Sequence, residues 1–486
     1  MMHNSEEGND YFVGTPICGR LTRRGLLRVS ALGGLALGSV YLAGCGVATG
    51  TPAQRIAASA LPTARATGVQ PTNHQGVTQL QPASVEAATP GLAGPAVLAG
   101  LGVNLHFTST TQALAQIARL AGSGLRVARM DLTWSVVEQQ RGRYNFASYD
   151  PVINALTAHG IRPLCILGYS NMLYETVPSP SSTAVGPHTD ALRQAFARFA
   201  AAAAAHYKGR GIIWELWNEP DNVRFWSPTP SPSGYMALVK AVVPELRRAG
   251  PSALIIAPAL TGLSSQYPAA WNYLENCFSL GLPGLVDAIS AHPYRQSAPE
   301  TVTADYQRLR ALITRYAPKN KARMPIYNSE WGYSDTWVSR DQQAAYFTRL
   351  SLINILSGLP VSIWYDWQDD GNDPRQQEDN FGLLTWNGQP KPVYAAAQTL
   401  VRELGGYHFS RRLTSGQDYG LLFINGSAQK QVIWTTGSSH LVTLSTSNAS
   451  SITITSLTGG KRTQPVIGGK TALNINGDPQ YITPGA

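Results

Sequence analysis

The chain has 486 residues, 43% of them hydrophobic and only 14% charged, which leaves room for a large apolar core and excludes a disordered polyelectrolyte. Its formal net charge of +9 is dispersed. The densest basic run, Arg315, Lys319, Lys321 and Arg323, falls where a helix ends, as cations prefer. With no zinc finger, RNA-binding motif or basic helix, nucleic acid is excluded as a partner. A basic solvated face, or attraction to an acidic polysaccharide or anionic headgroups, accounts for the charge.

At the amino terminus, Thr22-Arg23-Arg24-Gly25 precedes an apolar stretch over 29–42. Paired arginines before a Gly/Ala-rich apolar run resemble a twin-arginine export signal. Leu42-Ala43-Gly44-Cys45 follows and resembles a bacterial lipobox, which implies cleavage before Cys45 and a lipid anchor on its thiol. The alternative is an uncleaved membrane anchor, although the run is short for a span. Residues 1–45 are therefore expected to be an address. Residues 46–95, rich in Ala, Thr, Pro, Gln and Ser and without aromatic residues, cannot bury enough apolar area to offset chain entropy and are expected to form a flexible tether.

From residue 96 the pattern changes to short apolar runs alternating with amphipathic stretches. Strands are predicted at 101–107, 125–131, 162–167, 212–217, 253–258, 287–291, 325–329 and 361–365. Helices are predicted at 111–120, 149–159, 190–207, 233–249, 269–280, 301–316, 341–356 and 391–404. Eight strand–helix units predict an α/β fold, a (β/α)8 TIM barrel over 96–404; a doubly wound sheet would carry a Gly-rich first turn, which is absent. Cys165 then falls on a barrel strand and Cys277 on an outer helix, so a disulfide between them is not expected, and neither has metal-ligand spacing.

Beyond Gly405, short β-prone runs at 421–424, 431–435, 440–445, 452–456 and 472–475 predict a small C-terminal antiparallel β-sandwich over 405–486. The stretch from Gln464 to Thr471 comes close to a phosphate-binding loop. It has Gln464 where the first glycine belongs and no helix after it, so it is rejected.

The chemistry gathers at two strand tips. Ile212-Ile213-Trp214-Glu215-Leu216-Trp217-Asn218-Glu219-Pro220 closes strand four. Alternation sends Glu215 and Trp217 to one side, and Pro220 ends the ladder, freeing Glu219 to enter a cleft at the C-terminal face. Asn218 beside it is placed to bond a sugar 2-hydroxyl. Pro325-Ile326-Tyr327-Asn328-Ser329-Glu330-Trp331-Gly332 closes strand seven. Two glutamates at the tips of different barrel strands are what glycoside hydrolysis with retention requires, one protonated and one ionised.

These residues carry a resemblance. Asn218-Glu219-Pro220 after an apolar, Trp-rich strand is similar to the acid/base motif of the clan A (4/7 superfamily) retaining glycosidases. The resemblance implies Glu219 as acid/base and Glu330 as nucleophile. It further implies Arg129 as a hydrogen-bond partner of the nucleophile, His292 and Tyr294 as its neighbours, and Trp364 or Trp367 as the aromatic floor under the sugar. The segment Asp131 to Asp150, with Trp134, Glu138, Gly142, Tyr144, Phe146 and Tyr149, resembles family 39 and its exopolysaccharide-degrading relatives. Asn380-Phe381-Gly382-Leu383 and Lys391-Pro392-Val393-Tyr394 fit family 39 and family 5 alike. The likeness covers about residues 100–404, and the tether and lipobox depart from it.

A retaining β-glycosidase acting on a poly- or oligosaccharide is therefore expected, endo-acting on a β-glycan or exopolysaccharide. The alternatives are an exo-acting β-xylosidase-like enzyme and a non-catalytic glycan-binding lipoprotein. Apart from the sugar and the membrane reached through the lipid anchor, no partner is expected and the chain is expected to be a monomer, without cofactor or metal. Asp369-Asp370-Gly371-Asn372-Asp373 lacks the ligand spacing of a calcium loop and is expected to be a solvated loop at the cleft rim.

Overall fold

The computed structural model describes residues 78–79, 97, 99–175, 184–446 and 449–485. The export signal, Cys45 and most of the tether fall outside the described residues; Thr78–Gln79 pair in parallel with Val442 and Thr443. Among the described residues no helix is long and apolar enough to cross a membrane.

Eight parallel strands form a closed barrel: β1 Leu101–Asn104, β2 Val127–Thr133, β3 Arg162–Gly168, β4 Ile213–Leu216, β5 Leu254–Leu260, β6 Ala288–Ala291, β7 Ile326–Trp331 and β8 Val361–Trp364. β8 closes on β1 with Leu101 opposite Ser362 and Val103 opposite Trp364. The barrel interior is a packed layer built from Val127, Leu164, Ile213, Ile256, Ala288, Tyr327, Val361 and Ile363, so it is a core and not a pore. Gly102 fits here because a Cβ on it would lie 2.3 Å from the Val127 carbonyl oxygen and 2.8 Å from Ile363.

The principal helices are α1 Thr110–Ser123, α2 Asp150–Ala158, α3 Asp190–His206, α4 Pro232–Ala249, α5 Pro268–Ser279, α6 Val302–Tyr316, α7 Arg340–Leu356 and α8 Pro392–Leu404. Four of them start on a Ser or Thr whose side chain accepts an amide of the first turn: Ser109, Thr189, Ser231 and Ser339. Such caps satisfy donors that a helix start would otherwise leave bare. All sixteen predicted barrel elements are present, with ends shifted by a few residues.

Eight strands follow: β9 His408–Arg412, β10 Asp418–Asn425, β11 Ala428–Thr435, β12 His440–Ser445, β13 Ser451–Thr455, β14 Lys461–Pro465, β15 Lys470–Ile475 and β16 Gln480–Pro484. A six-stranded sheet, ordered β9-β10-β11-β16-β13-β14, faces the β12–β15 pair across a core of Ile433, Val442, Leu444, Ile452, Ile454, Leu473, Ile475 and Ile482. The rejected phosphate-loop stretch is the turn between β14 and β15, with Ile467 and Lys470 exchanging backbone bonds. Against α7 the sandwich presents Trp434, whose indole donates to Glu300 at 2.8 Å. Arg349 of α7 holds the same carboxylate with bonds of 2.6 and 2.7 Å. This contact explains why α7 is buried almost all round. Cys165 and Cys277 are both buried and free.

Candidate active site

Glu219 and Glu330 meet at the C-terminal mouth of the barrel. One carboxylate oxygen of each lies within 4.8 Å of the other and of a ring nitrogen of His292. Both are nearly buried, at 2% and 4% exposure. Glu219 is aimed by unusual backbone: Trp217 and Glu219 adopt φ of 70° and 46°, and Ala259 on the facing β5 tip adopts 54°. Side-chain-bearing residues avoid this region, so the surrounding structure must impose it, a form of strain that concentrates at functional sites. The Glu219 amide bonds the Ala259 carbonyl at 3.0 Å, coupling the two tips.

The same irregularity corrects the simple alternation expected of strand four. Glu215 points into the barrel, bonded to Arg129. Trp217 turns to the outer layer, stacking edge-on against Tyr169 and packing on Phe196 and Trp226.

Glu330 is held from three sides. Arg129 Nη1 donates to its Oε2 at 2.6 Å, Asn104 Nδ2 to the same oxygen at 3.2 Å, and Tyr294 Oη to its Oε1 at 2.8 Å. Gly332 lets the β7 and β8 tips close over it, since a Cβ there would lie 2.0 Å from the Tyr365 carbonyl oxygen. Arg129 also gives Nε to Glu215 at 2.6 Å and Nη2 to Asn218 Oδ1 at 2.7 Å. Burial opposes the charge of Arg129, yet Glu215 and Glu330 outweigh it and keep the guanidinium firmly protonated.

Glu219 has different neighbours. His292 Nδ1 lies 3.1 Å from its Oε1, and Asn222 Nδ2 donates to its Oε2 at 3.3 Å. His292, expected beside Glu330, thus contacts Glu219 directly, with Nε2 at 3.3 Å from Arg129. One carboxylate sits against a permanent cation and the other against an imidazole, an asymmetry suited to one ionised and one protonated carboxyl.

The structure brings together Arg129, Asn218, Glu219, His292, Tyr294 and Glu330. It does not bring Trp364 and Trp367 to the pocket, which corrects their reading as a floor. Trp364 faces outward onto Phe347 of α7, and Trp367 packs on Tyr394 of α8. Period two along the strand decides this: with Trp364 turned out, Tyr365 turns in and lines the cleft. Asn104, His106, Asp131, Tyr169 and Phe225 line it too. Asn104 and His106, polar residues closing an apolar first strand, were the sequence signal for that wall.

Asp369 and Asp370 are buried, which corrects the solvated-loop expectation for the start of that segment, while Asn372 is exposed and Asp373 half-buried as expected. Lys391 holds Asp369 at 2.7 Å, while Asp370 takes His106 at 3.2 Å and the Tyr365 hydroxyl at 2.9 Å. Burial raises the Asp369 carboxyl to about 6, with Lys391 opposing. Asp366 is pushed well above the carboxylate range by burial and by Asp370 and Asp369. His106, Asp366 and Asp370 have donor atoms within 4.8 Å of one another, as have Glu219, His292 and Glu330. In the second set Arg129 already supplies the positive charge on Glu330 that a metal would bring.

The family model described as cellulase (glycosyl hydrolase family 5) matches residues 94–371. A β-xylosidase of Geobacillus stearothermophilus is 26% identical over 287 residues, covering 52% of this chain and 55% of that protein. A β-xylosidase of Caldicellulosiruptor saccharolyticus is 26% identical over 216 residues, covering 39% and 41%. The chain thus spans about half the length of the curated relatives it matches. Among solved structures, a family 39 glycoside hydrolase from the gut symbiont Bacteroides cellulosilyticus aligns with TM-score 0.70 and 25% identity, over 79% of this chain and 80% of that one. A family 39 β-xylosidase of Caulobacter crescentus shares the fold, with TM-score 0.61 and 17% identity over 81% and 98%.

Proposed function

Because this chain belongs to the cellulase family, glycosyl hydrolase family 5, we propose that it is a retaining β-glycosidase working by double displacement, with Glu330 as nucleophile and Glu219 as acid/base. One observation supports the reading: an oxygen of each of the two glutamates at the tips of β4 and β7 lies within 4.8 Å of the other, on the side of the close carboxyl spacing, roughly 5–5.5 Å, of a retaining pair and not of the wider spacing, about 6.5–9.5 Å, of an inverting one. Arg129, Asn104 and Tyr294 hold Glu330 ionised and aimed. Glu219 protonates the leaving oxygen, then takes a proton from water after the leaving group departs. Asn218, fixed by Arg129, is placed to bond the 2-hydroxyl.

The preferred substrate is a β-linked poly- or exopolysaccharide cut internally, reached by an enzyme tethered to the cell envelope through Cys45. Exo-release of xylose is the second reading, favoured by the two β-xylosidase relatives. Incubating purified protein with a polysaccharide panel and sizing the products separates the two. Internal cutting yields a ladder of oligosaccharides at once, and exo action yields monosaccharide alone.

A further inference from the structure

Along β2 the side chains alternate. Ala128, Met130 and Leu132 pack in the layer outside the barrel, while Val127 belongs to its interior. Arg129 and Asp131 follow Val127 on the inner face, in successive layers toward the C-terminal mouth. Arg129 meets the nucleophile's level and is taken up there by Glu215, Glu330 and Asn218. Asp131 stands two residues on, about 6–7 Å farther along the strand. It lines the cleft together with Glu219 and Glu330.

Nothing in the protein requires a charge at Asp131. It forms no ion pair with a described residue, and the hydrogen bond it accepts there comes from Tyr169 Oη to Oδ1 at 3.0 Å. A neutral acceptor would serve that hydroxyl as well. Tyr169 is itself held by aromatic packing, stacked on Phe225 with centroids 5.7 Å apart and edge-on to Trp217 at 5.5 Å. The carboxylate is thus fixed in one orientation. Its Oδ2 accepts nothing from the described residues, although Asp131 is half-buried. Burial pushes the carboxyl above its ordinary value; His106, the Tyr169 bond and Arg129 pull it back, and Glu330 adds to the rise. Asp131 is therefore within electrostatic reach of Glu330, beside the space where the sugar ring is attacked.

We propose that Asp131 is a specificity-determining residue whose Oδ2 accepts a hydrogen bond from a hydroxyl, other than the 2-hydroxyl, of an uncharged sugar attacked by Glu330, a role that rests on the glycosidase assignment and narrows its substrate class. A carboxylate only accepts, and sugar hydroxyls donate. The 2-hydroxyl falls to Asn218 on the level of Arg129, so a group one layer nearer the mouth meets a more distant hydroxyl. Bonds to a charged acceptor are short and strong, and a sugar lacking the donor leaves a half-buried carboxylate unmatched. An anionic sugar is disfavoured at the same place, because Asp131 and Glu330 repel it and Arg129 is already engaged.

The test uses the full chain with 4-nitrophenyl β-glycosides and β-biosides of glucose, galactose, mannose and xylose, and the β-glucuronide as the charged control. For the best substrate, 3-, 4- and 6-deoxy analogues are compared in wild type, Asp131→Ala and Asp131→Asn. One deoxy sugar is expected to lose about ten- to a hundredfold in wild-type kcat/KM, and Asp131→Ala about as much on the parent. Combined, the two changes should cost little more than either alone. Asp131→Asn, which keeps an acceptor, should recover part of the loss. Thermal denaturation checks folding, and if Asp131→Ala does not fold the same cycle is read with Asp131→Asn. Losses that multiply for every deoxy sugar mean a structural role and overturn the proposal. A wild type that prefers the glucuronide also overturns it. For an enzyme that cleaves only polymer, Glu330→Gln is titrated calorimetrically with the oligosaccharides that wild type releases. Adding Asp131→Ala should weaken that binding about tenfold, and unchanged affinity refutes the role. A wild type that cleaves no aryl glycoside and no polysaccharide refutes the glycosidase reading, and this role with it.

Discussion

Arg129 holds Glu330 through Nη1 at 2.6 Å while its Nε is held by Glu215, also at 2.6 Å. One buried cation is thus divided between two buried carboxylates, and Glu215 fixes where the guanidinium points. Glu215→Gln keeps the shape and removes one anion, so Arg129 then serves Glu330 alone. The acidic limb of the kcat/KM profile should move to lower pH, by about one unit at most, and kcat should fall roughly tenfold as the nucleophile becomes less basic. Arg129→Lys should cost more, about a hundredfold, because a single ammonium cannot bridge three partners. A Glu215→Gln profile that keeps its acidic limb in place would show the residue to be packing only.

The two glutamates should be separable by azide. With an activated aryl glycoside, Glu219→Ala loses little in glycosylation and is rescued by azide, giving a β-glycosyl azide with retained configuration. Glu330→Ala loses several orders of magnitude, and any azide rescue gives the inverted α-azide. Retained product from the Glu330 variant would reverse the roles.

The barrel was legible because each βα unit writes its own pattern: an apolar strand, a capped amphipathic helix, a turn. Asn218-Glu219-Pro220 and the tip of β7 were legible because a polar run ending an apolar strand has few structural uses. What escaped was whatever depends on side-chain direction at a strained tip. Trp364 and Trp367 were assigned to the pocket without the parity that puts Tyr365 there, and Trp217 escapes alternation through its φ of 70°. In the sandwich, β9, β14 and β16 were not foreseen. β14 reads Lys-Arg-Thr-Gln-Pro and is largely exposed, an edge strand whose charge protects it from mispairing and hides it from apolar pattern reading.

Asp221 makes stability depend on pH near neutrality. Burial raises its carboxyl to about 7, the bond from the Thr261 amide at 3.0 Å opposes this, and Glu219 adds to the rise. A carboxyl whose folded value exceeds its unfolded one stabilises the fold at low pH, and that contribution disappears as pH climbs from about 4 to about 7. Asp221→Asn keeps the acceptor for Thr261 and cannot ionise. Relative to wild type the variant should therefore gain stability between pH 5 and 8, on the order of 1–3 kcal/mol given partial exposure. Thermal melts of both proteins at the two pH values measure the difference, and parallel profiles would rule the mechanism out.

Targeting is tested at Cys45. If the lipobox reading is right, Cys45→Ser abolishes labelling by a fatty-acid analogue and leaves a protein that is soluble or retains its signal, while Arg23→Lys with Arg24→Lys stalls export of the folded enzyme. Normal lipid labelling of Cys45→Ser would sink the anchor.

The outcome that joins geometry to mechanism is stereochemical. With one oxygen of Glu219 within 4.8 Å of one of Glu330, no water fits between nucleophile and anomeric carbon once the sugar is bound. With the proposed roles, attack comes from Glu330 itself, and breaking the glycosidic bond leaves a glycosyl ester. Water then enters from the face the leaving group vacated, with Glu219 taking its proton, so two inversions give net retention. The same logic predicts a two-limbed pH profile for kcat/KM, since an ionised nucleophile and a protonated acid must coexist; Glu219→Gln should remove the alkaline limb for a substrate with a good leaving group. Proton NMR during the first minutes of hydrolysis, before mutarotation, reads the newly formed anomer directly. A β-anomer from a β-linked substrate is expected. An α-anomer would require a water held between carboxyls about 6.5–9.5 Å apart, which the β4 and β7 tips could provide only by separating, and would remove the nucleophile role from Glu330.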